Sequence, residues 1–385
     1  MKVAIIGAGP AGLFLAILLK QQLSSAVVHV YEQNPADATF GFGVVLADSG
    51  LASLHAAAPA VCDDLISAMR FNDRHTIATR NFPITFQRPG QGGGAIPRIA
   101  LLAILQKHAQ ALGIQVTYSQ RIADFDSLEA DLIVGADGVN SSVRESRPAQ
   151  FGTTRRNLSN HFAWYGVAKA FPNPSLVFRV YQGGYFVAHY YPYSETMSTF
   201  VAECDDGTWS KFNMADKTDQ ERQALFEQVF EPELDGQPLV ANNSSWRQFP
   251  VIRAANWYAG NRVLIGDALN SAHFSIGSGT RIAMEDSVAL AKALVHSPDD
   301  LNAALELYVQ TRKPEKDKLI HASEASCNWY EDIGKWMDTY EPYEFVLRFM
   351  TRTGRVDVAR LRDQYPELVQ KFEEEGLLDS RQPAS

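Results

Sequence analysis

Three short stretches of this chain combine glycines and acids at spacings suited to holding a diphosphate and a polyol. The first is Gly7-Ala8-Gly9-Pro10-Ala11-Gly12, directly after the apolar run at residues 3–6. In such a turn the first glycine lets the chain reverse and the second lets backbone approach a pyrophosphate. The third lets helix pack closely on strand, and the N–H groups of the helix start face the anion. Glu32 closes the next apolar run, residues 26–31, where an acid would accept hydrogen bonds from ribose hydroxyls. The second stretch is residues 131–138, DLIVGADG, containing Asp137 and followed by Ser141 and Arg144. The third is Gly266-Asp267-Ala268, then Gly277-Ser278-Gly279-Thr280 opening a helix. An aspartate ending a buried strand can accept hydrogen bonds from a polyol, and a glycine-rich helix start can face an anionic ring edge. Taken singly, each has a plain structural reading, with aspartate as a turn residue and glycine as a cap. Their order along one chain gives the binding reading its weight.

The elements needed to position these groups are legible around them. Residues 3–6 suit a central parallel strand, residues 13–23 a helix, and residues 26–31 a second strand, which together make a βαβ unit. Residues 132–134 and 262–265 are further buried strands, and residues 98–111 and 280–294 have helical spacing. Residues 70–91 alternate polar and apolar, and residues 160–204 form a second β-rich block dense in aromatic rings. The pattern predicts an α/β protein. A discontinuous Rossmann-like domain would comprise residues 1–69, 98–155 and 254–300, and a mostly antiparallel β-rich domain residues 70–97 and 156–253. A helical C-terminal region at 301–385 would end in a frayed tail.

Bulk properties exclude several classes. A formal net charge of −9 over 385 residues argues against a nucleic-acid binder. Cys62, Cys204 and Cys327 make no CxxC pair, so neither a zinc site nor a dithiol centre is expected; buried small side chains are. The apolar N-terminus is interrupted by glycines, no stretch reaches the ~18 apolar residues of a membrane span, and a cytoplasmic protein is expected.

GAGPAG with Glu32, GADGVNSSVR, and VLIGDALN leading into GSGTRIAMED together resemble the group A flavoprotein monooxygenases, the para-hydroxybenzoate hydroxylase-like family, over about residues 1–330. The resemblance implies FAD as the bound dinucleotide and NAD(P)H as co-substrate. Gly7, Gly9, Pro10, Ala11, Gly12, Glu32 and Gln33 would hold the adenylate half. Arg98 matches a family arginine that contacts FAD, Asp137 would lie near the pyrophosphate, and Asp267 would bind the ribitol. The Gly277–Thr280 backbone, including Gly279 and Thr280, would face the flavin N1–C2=O edge. Asn270 and Phe274 replace a histidine and a proline usual in the family. With the strings AHFSIGSGT, FGFGVV, WYG and MSTFVAEC, they resemble the subgroup of salicylyl-CoA 5-hydroxylase, the 2-aminobenzoyl-CoA monooxygenases and the tryptophan hydroxylase of violacein biosynthesis. No fused old-yellow-enzyme-like domain follows, so a monooxygenase rather than a bifunctional monooxygenase/reductase is expected.

By that resemblance, O2 adds to the reduced cofactor as a C4a-hydroperoxyflavin, whose distal oxygen attacks an aromatic ring activated by a hydroxyl or amino group. The substrate is an aromatic small molecule or its CoA thioester. Alternatives are a free aromatic or heteroaromatic acid, a tryptophan- or indole-type metabolite, and a flavin oxidase or dehydrogenase without hydroxylation. Neither a metal nor a membrane partner is expected, and a monomer or homodimer is. His273 would lie near the ring and bond the substrate, or else be satisfied by backbone; His189 is a second candidate. Tyr165, Tyr191, Trp164 and Phe274 would line the pocket, although one face of each strand must point elsewhere. Arg155, Arg156, Arg352, Arg355 and Arg360 would meet CoA phosphates or form a solvated face.

Overall fold

The computed structural model describes residues 1–38, 41–46, 48–87, 93–242 and 244–378. The expected frayed tail, Phe40 of FGFGVV and part of the loop after residue 87 lie outside them.

The buried apolar strands assemble into a six-stranded sheet in the order Tyr258–Ala259, Arg262–Leu264, Leu132–Gly135, Lys2–Ile6, Val27–Tyr31, Gln115–Thr117. Neighbours run parallel except the first pair. Val3, Ala4, Ile5 and Ile6 are all buried because helices cover both faces, which is why this strand reads as continuously apolar. The helix Pro10–Gln22 has no exposed surface from Leu13 to Leu19. It packs on the helices Arg98–Ala111 and Gly279–His296, so an all-round apolar helix is what its position requires.

A second sheet, eight-stranded, has the order Leu239–Ala241, Thr153–Val167, Ser198–Cys204, Gly184–Pro192, Ser175–Tyr181, Arg74–Thr79, Phe82–Gln87, with Arg247–Ala254 also pairing to Thr153–Val167. Its pairings are antiparallel except Ser175–Tyr181 with Arg74–Thr79. Arg80 and Asn81, both at positive φ, make the tight turn of the last hairpin. Register sets two families of side chains. Trp164, Val201, His189, Leu176 and Ile77 form one cross-strand row, and Phe162, Glu203, Val187 and Phe178 form the next on the same face. Tyr165, Phe200, Tyr190 and Ser175 form a row on the opposite face. Between Asn157 and His161 the strand is irregular, four residues advancing against two of its partner. This bulge re-aims Asn160 inward.

Residues 70–97 divide between two sheets. Arg70–Asn72 and Gly93–Pro97 pair with Gly43–Leu46 in a separate three-stranded sheet, because Gly93–Pro97 finds its partners on either side of itself. From residue 301 the described chain is mostly helical. Tyr330, Ile333, Met337, Phe345 and Phe349 pack against Ile77, Ile84, Phe178 and Val187 of the large sheet. Among the described residues, no helix is long and apolar enough to cross a membrane. Cys62, Cys204 and Cys327 are free and buried.

Candidate active site

The glycines of the first motif divide into two kinds. A Cβ at Gly7 would fall 2.5 Å from the Ala136 carbonyl oxygen, and one at Gly12 2.0 Å from the Gly7 oxygen, so packing excludes any side chain there. At Gly9, Gly138, Gly277 and Gly279 a Cβ would meet nothing within 4 Å. Gly9 and Gly279 stand at the starts of two helices that pack on each other, Pro10–Gln22 and Gly279–His296. Open space beside helix N–H groups is the geometry an anionic ligand needs.

The acids around this cleft are braced rather than free. Glu32 Oε2 accepts from Ala8 N–H (2.9 Å), and Oε1 from the main-chain N–H and Nδ2 of Asn34 (both 2.8 Å). Gln33 beside it is exposed. Asp137 Oδ2 accepts from Ser142 N–H (2.6 Å) and Oγ (2.9 Å), while Oδ1 is buried without a partner. Asp267 is crowded by protein yet exposed; burial raises its pKa while Lys316 and Arg98 oppose the rise. Arg98 starts its helix and donates its N–H to Phe42 O (2.7 Å). Its guanidinium has no hydrogen-bond partner among the described residues, and burial lowers its pKa against the opposing pull of Asp267 and Tyr191. Behind the Gly266–Ala268 turn, fully buried Asp286 accepts from Gly266 N–H (2.9 Å), Arg312 Nε (2.8 Å) and Lys316 Nζ. Two helix starts, an acid at residue 32, an arginine whose guanidinium has no hydrogen-bond partner among the described residues, and an exposed aspartate suit a dinucleotide that ends in a flavin.

A separate small cavity of about 20 Å³, room for one water-sized group, lies under the large sheet, lined by Leu176, Val187, His189, Val201, Glu203 and Tyr330, with Phe274 and Ser275 closing it. His189 has no hydrogen-bond partner among the described residues. Burial and the like charges of His75 and Arg352 push its pKa down to about 4, so it is neutral at pH 7. Glu203 is 3% exposed, and Asn160 Nδ2 donates to its Oε1 at 3.1 Å. Burial drives its pKa up to about 8, Asn160 opposes this, and Glu331 adds to it.

His273 does not face this cavity as a free base. Its N–H donates to Ser323 Oγ (2.7 Å), and Nδ1 accepts from Ser275 N–H (3.3 Å), capping the turn Phe274–Ile276. Burial and Arg352 push its pKa down to about 3, which is the backbone-satisfied alternative. Tyr165 is on the other side of the sheet, taking a hydrogen bond from Trp246 Nε1 (2.9 Å) within the cluster around Phe226; its odd position on the strand sends it there. Trp164 and Phe162 point toward the site instead, their ring centroids 6.4 and 4.7 Å from that of Phe274. Tyr191 is on the cavity face, but its hydroxyl donates to Gly43 O (2.9 Å) and ties the two sheets together. Asn270 accepts from Ala254 N–H (3.1 Å), a structural bond.

Arg352 is not a surface cation. It donates to Ser326 Oγ (2.9 Å), Phe349 O (2.6 Å) and Ser275 O (2.9 Å), and stacks 3.8 Å over the Phe349 ring with no carboxylate partner among the described residues. Arg155 and Arg360 lie at the surface, bonded to Asn140 Oδ1 and Arg355 O. Sequence reasoning missed Glu203 and Tyr330. The signal for Glu203 was a single acid in the apolar run MSTFVAEC, two residues from Val201 on the same face.

Comparison with known proteins places the chain in a family. The model of the family described as "FAD binding domain" matches residues 102–323. The chain is 38% identical to a salicyloyl-CoA 5-hydroxylase of Streptomyces over 365 residues, covering 92% of this chain and 70% of that protein. It is 32% identical to a 3-hydroxy-4-methyl-anthranilyl-[aryl-carrier protein] 5-monooxygenase of Streptosporangium sibiricum (86% and 89% covered). It is 31% identical to a protodeoxyviolaceinate monooxygenase of Chromobacterium violaceum (91% and 94% covered). A crystal structure of 2-methyl-3-hydroxypyridine-5-carboxylic acid oxygenase shares the fold at TM-score 0.72 and 20% identity, covering 89% of this chain and 97% of the other. The chain therefore belongs to the FAD binding domain family and is an FAD-dependent aromatic monooxygenase.

Proposed function

We propose that the chain hydroxylates a benzoyl ring that carries a hydroxyl or amino group and is presented as a thioester. The observation behind this is adjacency. Phe274 and Ser275 close the cavity, and Gly277 and Gly279, next along the chain, face open space at the start of a helix. A ring that places its hydroxyl or amino group in this water-sized cavity therefore lies beside the part of the cleft assigned to the flavin. Bound FAD, reduced by a nicotinamide coenzyme, supplies the electrophilic oxygen taken from O2. The chain's residues orient and desolvate. Gly9 and Gly279 lead helix N–H groups to the cofactor, with Arg98 and Asp267 as polar contacts. Phe274, Val187, Val201 and Leu176 surround the ring's hydroxyl or amino group and exclude water from it.

Two things support the thioester. Two of the relatives above are named for a CoA or carrier-protein acyl substrate. A surface groove between the helices Gly279–His296 and Leu301–Glu331 is lined by Arg281, Lys292, Lys318 and Arg355, of which Lys292 and Arg355 have no ion-pair partner among the described residues. Burial and the like charges of Arg281 and Arg360 push the Arg355 guanidinium down, a crowding that a phosphate would relieve. A second reading, a free aromatic acid, draws on Arg352, whose charge no carboxylate offsets.

The test is to isolate the yellow holoprotein and measure substrate-stimulated NADH and NADPH oxidation with salicyloyl-CoA, salicylate and tryptophan, identifying products by mass. Gain of one oxygen on the thioester alone is expected. Turnover of salicylate alone would establish the second reading, and coenzyme oxidation without oxygenated product would overturn both.

A further inference from the structure

Resting on the hydroxylase reading of the cavity, we propose that Glu203 is the catalytic base that takes the proton from the substrate's ring hydroxyl or amino group as oxygen is transferred. The hydrogen bonds around it determine which of its atoms is available. Asn160 Nδ2 donates to Glu203 Oε1 (3.1 Å) and to Tyr330 O (2.9 Å). A main-chain carbonyl can only accept, so the amide cannot be flipped, and both Nδ2 hydrogens are used. Asn160 Oδ1 is left buried without a partner among the described residues. Oε1 of Glu203 is thus committed, and Oε2 is the oxygen left to meet a ligand in the cavity it lines.

The other polar groups near the cavity are unsuited to the task. His189 and His273 have pKa values pushed down to about 4 and about 3, too weakly basic to hold a proton at neutral pH. Burial drives the Tyr330 hydroxyl up, so it stays protonated. Ser275 Oγ is engaged with His273 Nδ1 and Ser326 Oγ, both at 2.8 Å. Arg352 and Arg247, the latter over the Phe162 ring, are donors only. Glu331 lies outward, accepting from Ser159 N–H (2.7 Å) and Asn160 N–H (3.1 Å). Leu176, Val187, Val201 and Phe274 offer no side-chain N or O atoms. Burial places the Glu203 carboxyl near 8, within reach of a phenol, so a proton shared between them moves with little penalty.

The substrate O–H bond breaks, leaving the proton on Glu203 Oε2, and its electron pair enters the ring as the ring carbon takes a hydroxyl from the oxygen donor that bound, reduced FAD and O2 would supply; the donor's O–O bond breaks with its electron pair left on the cofactor side. On rearomatisation Glu203 returns that proton to the same oxygen, the ring C–H proton passes to water, and the carboxylate is regenerated. For an amine substrate, N–H replaces O–H.

Glu203→Gln keeps the shape and the Asn160 contact but cannot accept the proton. The experiment uses the wild-type and E203Q holoenzymes with salicyloyl-CoA and, separately, salicylate. Flavin content and the rate of flavin reduction by the coenzyme serve as controls for folding. Expected results are unchanged flavin content, a fall of about a hundredfold in ring hydroxylation, and loss of the rise in rate through pH ~8. E203D restores part of the rate. A readout without turnover is the ultraviolet titration of the bound ring hydroxyl in oxidised enzyme. It ionises at lower pH in E203Q, because the neighbouring carboxylate no longer repels the phenolate. E203Q with wild-type rate, pH profile and titration overturns the proposal. Hydroxylation of salicylate but not the thioester by the wild type overturns the thioester reading, and Glu203 is then judged on salicylate. A wild type that hydroxylates neither overturns both.

Discussion

The two faces of the eight-stranded sheet are made by the same strands, yet they differ in kind. On one face Tyr165, Phe186, Tyr190 and Phe200 lock against Phe226 and Phe230 in a dry cluster. On the other, the same strands present His189, Glu203, Val187 and Val201 to a cavity closed by Phe274 and Tyr330. The difference teaches where stability and chemistry are kept. The far face satisfies itself, so the near face can carry a carboxyl with one uncommitted oxygen and an unpartnered imidazole, groups that a packed core would reject.

The largest expected effect that can break this contrast is on the dry face. Phe200→Ala removes a side chain with no exposed surface and should cost about 3–5 kcal/mol. Urea unfolding should show this while the surviving folded fraction keeps its flavin; a loss of rate without loss of stability would contradict the division. Next, E203Q should reverse the pattern, lowering rate at little cost in stability at pH 6. Glu203 is protonated in the fold up to about pH 8, whereas an unfolded glutamate ionises near 4.5. The folded state therefore loses stability as pH rises through that window, and E203Q should be the more stable protein above pH 8 in thermal melts.

His189→Gln is expected to lower hydroxylation about tenfold, comparable to removing one positioning hydrogen bond. The neutral imidazole is held well below its unfolded value of 6.5, so wild-type stability falls as pH drops from 6.5 to 4. H189Q should show a shallower fall in urea midpoint over that interval. The smallest effect belongs to Tyr165→Phe, which forfeits the bond from Trp246 at about 1 kcal/mol and should leave kcat unchanged. An altered kcat would return Tyr165 to the substrate side. At the edge of the comparison, Arg355→Glu should raise KM for salicyloyl-CoA and not for salicylate; equal effects on both would remove the groove from substrate binding.

Much was legible before any coordinates. The glycine turns, Glu32, Asp137 and Asp267 are local signals, because each occupies a strand end or helix start that the neighbouring residues already define. Family, fold class and FAD followed from these motifs in order. His273 illustrates the limit. Its place between two cofactor motifs suggested substrate contact, but the capping bond to Ser275 is available to any residue with an acceptor at that turn and takes up its Nδ1. The aromatic run at residues 160–204 announced strands without saying which rings face inward. A shift of one residue exchanges the faces, and register here depends on a bulge at residues 158–160 that no alternation pattern reveals.

The primary structure by itself determined the family, FAD as its cofactor and the glycine turns and helix starts proposed to hold it, because main-chain geometry at glycines is written within a few residues. Only the tertiary structure decided the cavity. Glu203, His189, Phe274 and Tyr330 come from two strands, a turn and a long helix, and what makes them chemical is burial and the bonds they are denied. Burial is a property of the assembled sheet and helices, which is why one glutamate in an apolar strand became the group that the fold holds near neutrality.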